Sequence, residues 1–147
     1  MEKELQIVAF QVGRETFGLP IPAVREIVRV PEITAVPNVP EHIEGVINLR
    51  GRIIPVIDLQ KRFGGGATER NIKNRVVVAE LEQRTVGLIV HSATEVLRIP
   101  PSEIEKPRDV FPESELDYLS GVGKWKGRLV MLLDLQKVTE RGDDWQI

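Results

Sequence analysis

The sequence predicts a mainly β protein: two small β-barrels in one compact body, with a few short helices. Short apolar runs are separated by glycine, proline and polar turns, as in strands joined by hairpins. The order of these runs repeats once along the 147 residues. Each unit alone is too small to bury much core, so we expect the two units to pack closely, with exchange of strands as one way to do so.

The first unit spans residues 5–63. Its predicted strands are, in order, 7–12, 16–19, 46–49 and 53–57. Pro22 is placed to start a short helix, in which Val24, Ile27 and Val28 would share one face at helical spacing. Three prolines make residues 31–40 an extended connection.

Residues 45–59 are the centre of the first unit. A strand leads into a turn at Gly51, and the apolar run 53–57 follows, as suits a strand covered on both faces. Pro55 cannot donate a ladder hydrogen bond, which predicts an edge strand or a bulge. Asp58 then ends the run and is predicted to cap a short helix.

The second unit spans residues 74–139 and repeats the first. A glycine loop at 64–68 precedes it and lacks the lysine of a phosphate-binding loop, so we interpret it as a linker. Superposing 7–31 on 76–100 gives identical residues at Val8, Thr16, Gly18, Leu19, Glu26, Arg29 and Pro31. Superposing 45–61 on 121–137 gives identity at Gly45, Val46, Gly51, Arg52, Asp58, Leu59, Gln60 and Lys61. Only about one or two coincidences are expected in each comparison. We therefore predict an internal duplication within a single domain, 1–147.

Composition excludes several classes of function. The chain has no cysteine, which removes disulfides, thiolate metal sites and cysteine nucleophiles. A net charge of −2 and a pI near 5.8 disfavour non-specific nucleic-acid binding. The N-terminus lacks the pattern of a signal peptide, and no apolar run reaches the length of a membrane span. We expect a soluble cytosolic protein.

The pattern of reactive residues disfavours an enzyme. His42 and His91 lack the spacing of helical metal ligands, and His91 is predicted to cap a helix or to be exposed. No nucleophile elbow or nucleotide-binding loop occurs. Asp58 and Asp134 occupy equivalent places in the two units, which favours capping over catalysis.

Features present in one unit only are better candidates for function than shared ones. Asn48-Leu49-Arg50 is replaced by Lys124-Trp125-Lys126 in the second unit, and Val24 by Ala93. Arg50, a planar multi-donor group beside apolar residues, suits a protein interface. Trp125 is either a core residue or an exposed anchor, and Trp145 is expected to cover an open barrel edge.

The central motif resembles that of a known family. The residues that carry the resemblance are Val36-Pro37, Pro40, Gly45-Val46-Ile47-Asn48-Leu49-Arg50-Gly51, Ile54-Pro55-Val56 and Asp58-Leu59, supported by Phe17-Gly18-Leu19 and Val86-Gly87-Leu88. Together they are similar to the signature of CheW, the bacterial chemotaxis coupling protein family. The chain departs from the family at His91, where aspartate is common, and at the variable turn 124–126.

The resemblance implies a non-catalytic adaptor with two interlocked, OB-fold-like, five-stranded barrels that exchange strands. Its partners would be the regulatory domain of the histidine kinase CheA and the cytoplasmic tips of methyl-accepting chemoreceptors, with membrane association only through the receptors. No cofactor or metal is implied. The alternative hypothesis is a pair of small barrels that bind single-stranded nucleic acid.

The resemblance implies receptor- or kinase-binding roles for Val24, Glu26, Gly45 and Arg50, and other residues complete two predicted sets. The predicted receptor-binding residues are Val24, Glu26, Ile27, Val28 and Arg50. The predicted kinase-binding residues are Glu44, Gly45 and Ile53.

Overall fold

A computed structural model describes residues 3–110 and 118–139, and Trp145 lies outside these ranges. The described elements are β1 (Leu5–Val12), β2 (Glu15–Pro20), β3 (Val24–Arg29), β4 (Ile43–Leu49), β5 (Arg52–Asp58), α1 (Leu59–Arg62), β6 (Arg75–Leu81), β7 (Arg84–Val90), β8 (Ser92–Ile99), β9 (Ile104–Glu105), β10 (Leu119–Trp125), β11 (Arg128–Leu133) and α2 (Leu135–Thr139). Short 3-10 helices cover Ile21–Ala23, Pro101–Glu103 and Pro107–Asp109. In this part of the chain no helix has both the length and the apolar character needed to cross a membrane.

The strands form two sheets with the same internal order. Sheet A has the order β8-β1-β2-β11-β10-β9, and sheet B has the order β3-β6-β7-β5-β4. In both sheets one ladder is parallel, β2 with β11 and β5 with β7, and the other ladders are antiparallel. Each sheet takes strands from both halves of the chain. On this basis we propose that residues 5–63 and 74–139 are two copies of one unit.

The predicted mainly β architecture with short helices is confirmed, whereas two five-stranded barrels are not. Sheet A contains six strands and sheet B five, and among the described residues no backbone ladder joins the first strand of either sheet to its last. The structure therefore shows two open sheets.

Three apolar clusters form the core, and one of them joins the two sheets. The central cluster lies between them and combines Phe10 and Leu19 of sheet A with Ile57 and Leu88 of sheet B. A second cluster covers the other face of sheet A, and a third covers the other face of sheet B. Most strands are therefore buried on both faces, which explains why their sequences are continuous apolar runs rather than alternating ones.

Pro22 lies in a short 3-10 helix, Ile21–Ala23, but the predicted helical face of Val24, Ile27 and Val28 is wrong, and so is the helix predicted near His91. Val24 begins strand β3, and His91 immediately precedes strand β8. A register shift between Val24 and Glu26 places one extra residue in β3, and β8 has the equivalent irregularity opposite Ala9. Such a bulge changes the phase of the two-residue alternation, so the apolar spacing resembles that of a helix.

Pro55 does not lie on an edge strand, because β5 is paired with β4 on one side and with β7 on the other. It lies opposite Val46, whose N–H and C=O both bond to Thr34, at 2.9 Å each, instead of to β5. The missing N–H of Pro55 thus costs no bond to β4. The bulge is in the partner strand, where Glu44 is the extra residue between Ile43 and Gly45.

The predicted caps Asp58 and Asp134 are confirmed, whereas His91, half-buried before β8, caps no helix. The buried Asp58 carboxylate accepts hydrogen bonds from the backbone N–H of Gln60 at 3.1 Å and of Lys61 at 3.4 Å. It also accepts from Thr68, at 2.9 Å from the backbone N–H and 2.7 Å from the hydroxyl. At the start of α2, Asp134 accepts from the N–H of Lys137 at 3.2 Å.

Candidate partner-binding site

The β4–β5 hairpin turn presents Arg50 at the surface. Arg50 (φ 52°) and Gly51 (φ 84°) are both left-handed, as a two-residue turn between right-twisted strands requires. The Asn48 side-chain oxygen accepts the Gly51 N–H at 3.0 Å and holds the turn. Asparagine or glycine is preferred in the first position of such a turn, yet arginine occupies it, with 73% of its side chain exposed.

Arg50 forms an ion pair with Glu26 of β3. Strands β3 and β4 are the two edges of sheet B, and a flat sheet would separate them by about 19 Å. The contact is possible because sheet B curls until its edges approach. Two predicted receptor-binding residues are thus brought together across the open side of the sheet.

Beneath this ion pair lies a small depression, which we call the first groove. Its lining residues are Arg25, Glu26, Leu49, Arg50, Arg52, Ile54, Val78 and Thr85. Two polar contacts fix the rim: Arg25 with Glu80 at 2.9 Å and Arg52 with the Thr85 hydroxyl at 3.1 Å. The volume is about 120 Å³. Small-molecule pockets measure roughly 300–1,000 Å³, so this groove suits part of one partner side chain.

The other predicted receptor-binding residues divide between core and surface. Val24 packs against the central cluster, and Val28 packs against the cluster of sheet B. Ile27 is 39% exposed. We therefore expect Ile27 to make direct contact, while Val24 and Val28 hold β3 in place.

Glu44 of the predicted kinase-binding set is already engaged within the chain. Its carboxylate accepts from Lys61 at 2.7 Å and from Arg70 at 2.9 Å. The hydrogen bond to Glu44 raises the pKa of Lys61, against the opposing effect of burial. Glu44 thereby ties the bulge of β4 to α1 and to the loop that follows.

Gly45 is fixed by a close backbone approach. Its φ is 142°, and a Cβ on this residue would lie 2.1 Å from the carbonyl oxygen of Thr34. Only glycine fits here. Ile53, in contrast, is 61% exposed on β5 and is available to a partner. Of the predicted kinase-binding residues, we therefore expect Ile53 alone to make direct contact.

The arrangement of side chains in the described ranges gives no sign of a metal centre. Within 3–110 and 118–139, no three histidine or acidic side chains are grouped as metal ligands. The first groove is small, charged at its rim and apolar at its floor, which suits protein recognition.

A protein-family model described as the CheW-like domain matches residues 6–142 of this chain. The chain belongs to the CheW family.

Several CheW proteins resemble the whole chain. The Chemotaxis protein CheW of Rhizobium meliloti (strain 1021) is 34% identical over 133 residues, which cover 90% of this chain and 86% of that relative. Chemotaxis protein CheW of Thermotoga maritima is 32% identical over 140 residues, covering 94% and 89%. The crystal structure of the scaffolding protein TtCheW from Thermoanaerobacter tengcongensis is 38% identical, with a TM-score of 0.85 and coverage of 95% and 94%.

Membership in the CheW family makes this chain a chemotaxis scaffold rather than a catalyst. The family gives no support to the nucleic-acid hypothesis. Sequence reasoning identified Arg50, but it missed the rim residues Arg25, Arg52 and Thr85. No signal in the sequence relates these three, because they lie on strands whose order in sheet B appears only in the fold.

Proposed function

We propose that this chain is a non-catalytic adaptor that couples chemoreceptor cytoplasmic tips to the histidine kinase CheA. The observation that carries the proposal is the Glu26–Arg50 ion pair at the rim of the first groove. Exposed Ile27 on β3 and exposed Ile53 on β5 provide apolar contacts. Family membership supports a chemotaxis scaffold, and these residues are where we place its two partners.

The receptor tip would contact β3 and the Arg50 turn. A helical hairpin presents apolar side chains at helical spacing, and one of them can pack against Ile27 on the edge strand β3. Arginine carries five N–H donors, so Arg50 can keep its ion pair with Glu26 and still donate a hydrogen bond to a partner carboxylate or carbonyl.

The kinase regulatory domain would contact β5 through Ile53. Glu44 and Gly45 would act indirectly, by fixing the bulge and the backbone of β4 beside β5. Substitution of Gly45 should therefore weaken kinase binding only together with a loss of folding stability.

Calorimetric titrations with the isolated CheA regulatory domain and with a receptor signalling fragment test this assignment. We expect Ile27→Ser to weaken receptor binding and Ile53→Ser to weaken kinase binding, each by about 5–30-fold, as for truncation of an apolar anchor. Matched controls are Val96→Ser and Leu129→Ser, at the equivalent positions of the second unit, which are 54% and 55% exposed. Both controls should leave these affinities unchanged.

Two results would contradict the proposal. If neither partner binds the unmodified chain at high micromolar concentration, the adaptor function is wrong. If both partners bind, but the control substitutions weaken their binding as much as Ile27→Ser and Ile53→Ser do, the site assignment is wrong. Val24→Glu is unsuitable as a test, because Val24 is half-buried against the central cluster and a charge beside those apolar side chains would destabilise the fold.

A further inference from the structure

The second unit carries a larger concave surface, which we call the second groove. Its lining residues are Arg98, Pro100, Glu103, Lys124, Trp125, Lys126, Gly127, Arg128 and Leu129. The volume is about 450 Å³, within the range of roughly 300–1,000 Å³ typical of ligand-binding sites. The proposed adaptor function uses none of these residues.

Trp125 is the anchor of this surface. Its ring packs against the apolar cluster of sheet A, which fixes its orientation, and it remains partly exposed. The Lys126 ammonium lies 4.7 Å from the ring centroid, and the Arg128 guanidinium carbon 5.2 Å from it. Beside them Leu129 is 55% exposed. An aromatic ring, an aliphatic side chain and two cations thus share one surface.

The charge of the lining is opposite to that of the chain. Four cationic side chains and one anionic side chain line the groove, although the whole chain carries a net charge of −2. Two of these cations form long, exposed ion pairs: Lys124 lies 3.7 Å from Glu105, and Arg128 lies 3.9 Å from Glu95. These exposed pairs are weak, so an incoming carboxylate can compete for the cations.

We propose that the second groove binds an acidic, extended segment of a partner protein, with one apolar side chain of the segment against Trp125 and Leu129. Carboxylates of the segment would meet Arg98, Lys124 and Lys126. Pro100 and Glu103, at the two ends of a short 3-10 turn, also line the groove. The proposal is independent of the adaptor function, because it concerns other residues in the other unit.

The carboxylates around the groove favour a peptide over a nucleic acid. Glu103 lines it, while Glu95 and Glu105 flank it. A nucleic-acid backbone carries a charge at every nucleotide and would be repelled at these points. A peptide can place uncharged residues opposite them.

The test measures Trp125 fluorescence in a Trp145→Phe background, where Trp125 is the remaining tryptophan. The probe is a short end-capped peptide in which glutamates alternate with serines around one central leucine. We expect a saturable change in emission, weakened severalfold when ionic strength rises from about 0.05 to 0.3 M. Lys126→Glu should weaken binding at least about fivefold. Arg14→Glu, at the exposed β1–β2 turn, makes the same change in net charge and should leave peptide binding unchanged.

Four results would overturn the proposal. No saturable change, or equal weakening by Lys126→Glu and Arg14→Glu, removes the groove as the site. Equal binding of a glutamate peptide without leucine shows an unspecific anion site, and tighter binding of single-stranded DNA shows a nucleic-acid site. Leu129→Ser, which changes no charge, must also weaken the leucine peptide. Kinase and receptor titrations of Lys126→Glu should stay unchanged, so failure here is separable from failure of the adaptor function.

Discussion

Replacing Arg50 by asparagine should separate partner binding from folding. Asparagine is preferred in the left-handed turn position, and relief of the arginine backbone should stabilise the fold by about 0.5–1 kcal/mol. Loss of the ion pair to Glu26 should cost about 0.2–1 kcal/mol, because the Arg50 side chain is 73% exposed. These terms oppose each other, so the free energy of unfolding should change by less than about 1 kcal/mol.

Binding of the receptor fragment should respond far more strongly. A charge-assisted hydrogen bond contributes about 1.5–3 kcal/mol, so its loss predicts about 10–150-fold weaker binding. Urea denaturation followed by circular dichroism gives the free energy of unfolding, and calorimetric titration gives the dissociation constant. Both measurements are made on the same preparation of Arg50→Asn.

Lys126→Asn is the matched control. Lys126 has a φ of 48° and precedes Gly127 as Arg50 precedes Gly51, so this substitution relieves the same turn conformation in the second unit. It should leave receptor binding unchanged. The reasoning is refuted if Arg50→Asn lowers the free energy of unfolding by more than about 2 kcal/mol, or if it binds the receptor fragment as tightly as the unmodified chain.

Two further predictions concern stability. Asp58→Ala removes four hydrogen bonds and should lower the free energy of unfolding in urea by about 2–4 kcal/mol. Asp134→Ala removes one capping hydrogen bond and should lower it by about 0.5–1 kcal/mol. Equal losses would contradict the role of the Thr68 contacts. Lys61 has a pKa raised above 10.5, so its stabilisation relative to Lys61→Met should be full below that pH and disappear as pH rises through the raised value. A difference in unfolding free energy that does not change with alkaline pH would show that Lys61 contributes only through packing.

Most strands could be predicted from the sequence because short apolar runs and glycine turns are local signals. The error at β3 arose because a bulge alters a local pattern for a reason that lies in the partner strand β6. The open sheets could not be distinguished from barrels, since alternation along a strand does not show whether the two edges of a sheet are hydrogen-bonded.

The candidate site was predictable only in part. Comparison of the two units singled out Arg50, because its position differs between them. Glu44 and Gly45 were assigned to kinase binding through the family resemblance, and their internal contacts were not foreseen. Those contacts involve Thr34, Lys61 and Arg70, which approach only in the folded chain.

Sharing of strands between the sheets has a consequence for synthesis on the ribosome. The β1–β2 hairpin is made first, but its two edges are covered by β8 and β11. Strand β11 ends 113 residues after Pro20, so at about 5–20 residues per second that edge stays uncovered for roughly 6–23 s. During this interval two nascent chains on one messenger can pair edge to edge. A protein built this way should depend on chaperones that bind nascent chains more than its small size suggests.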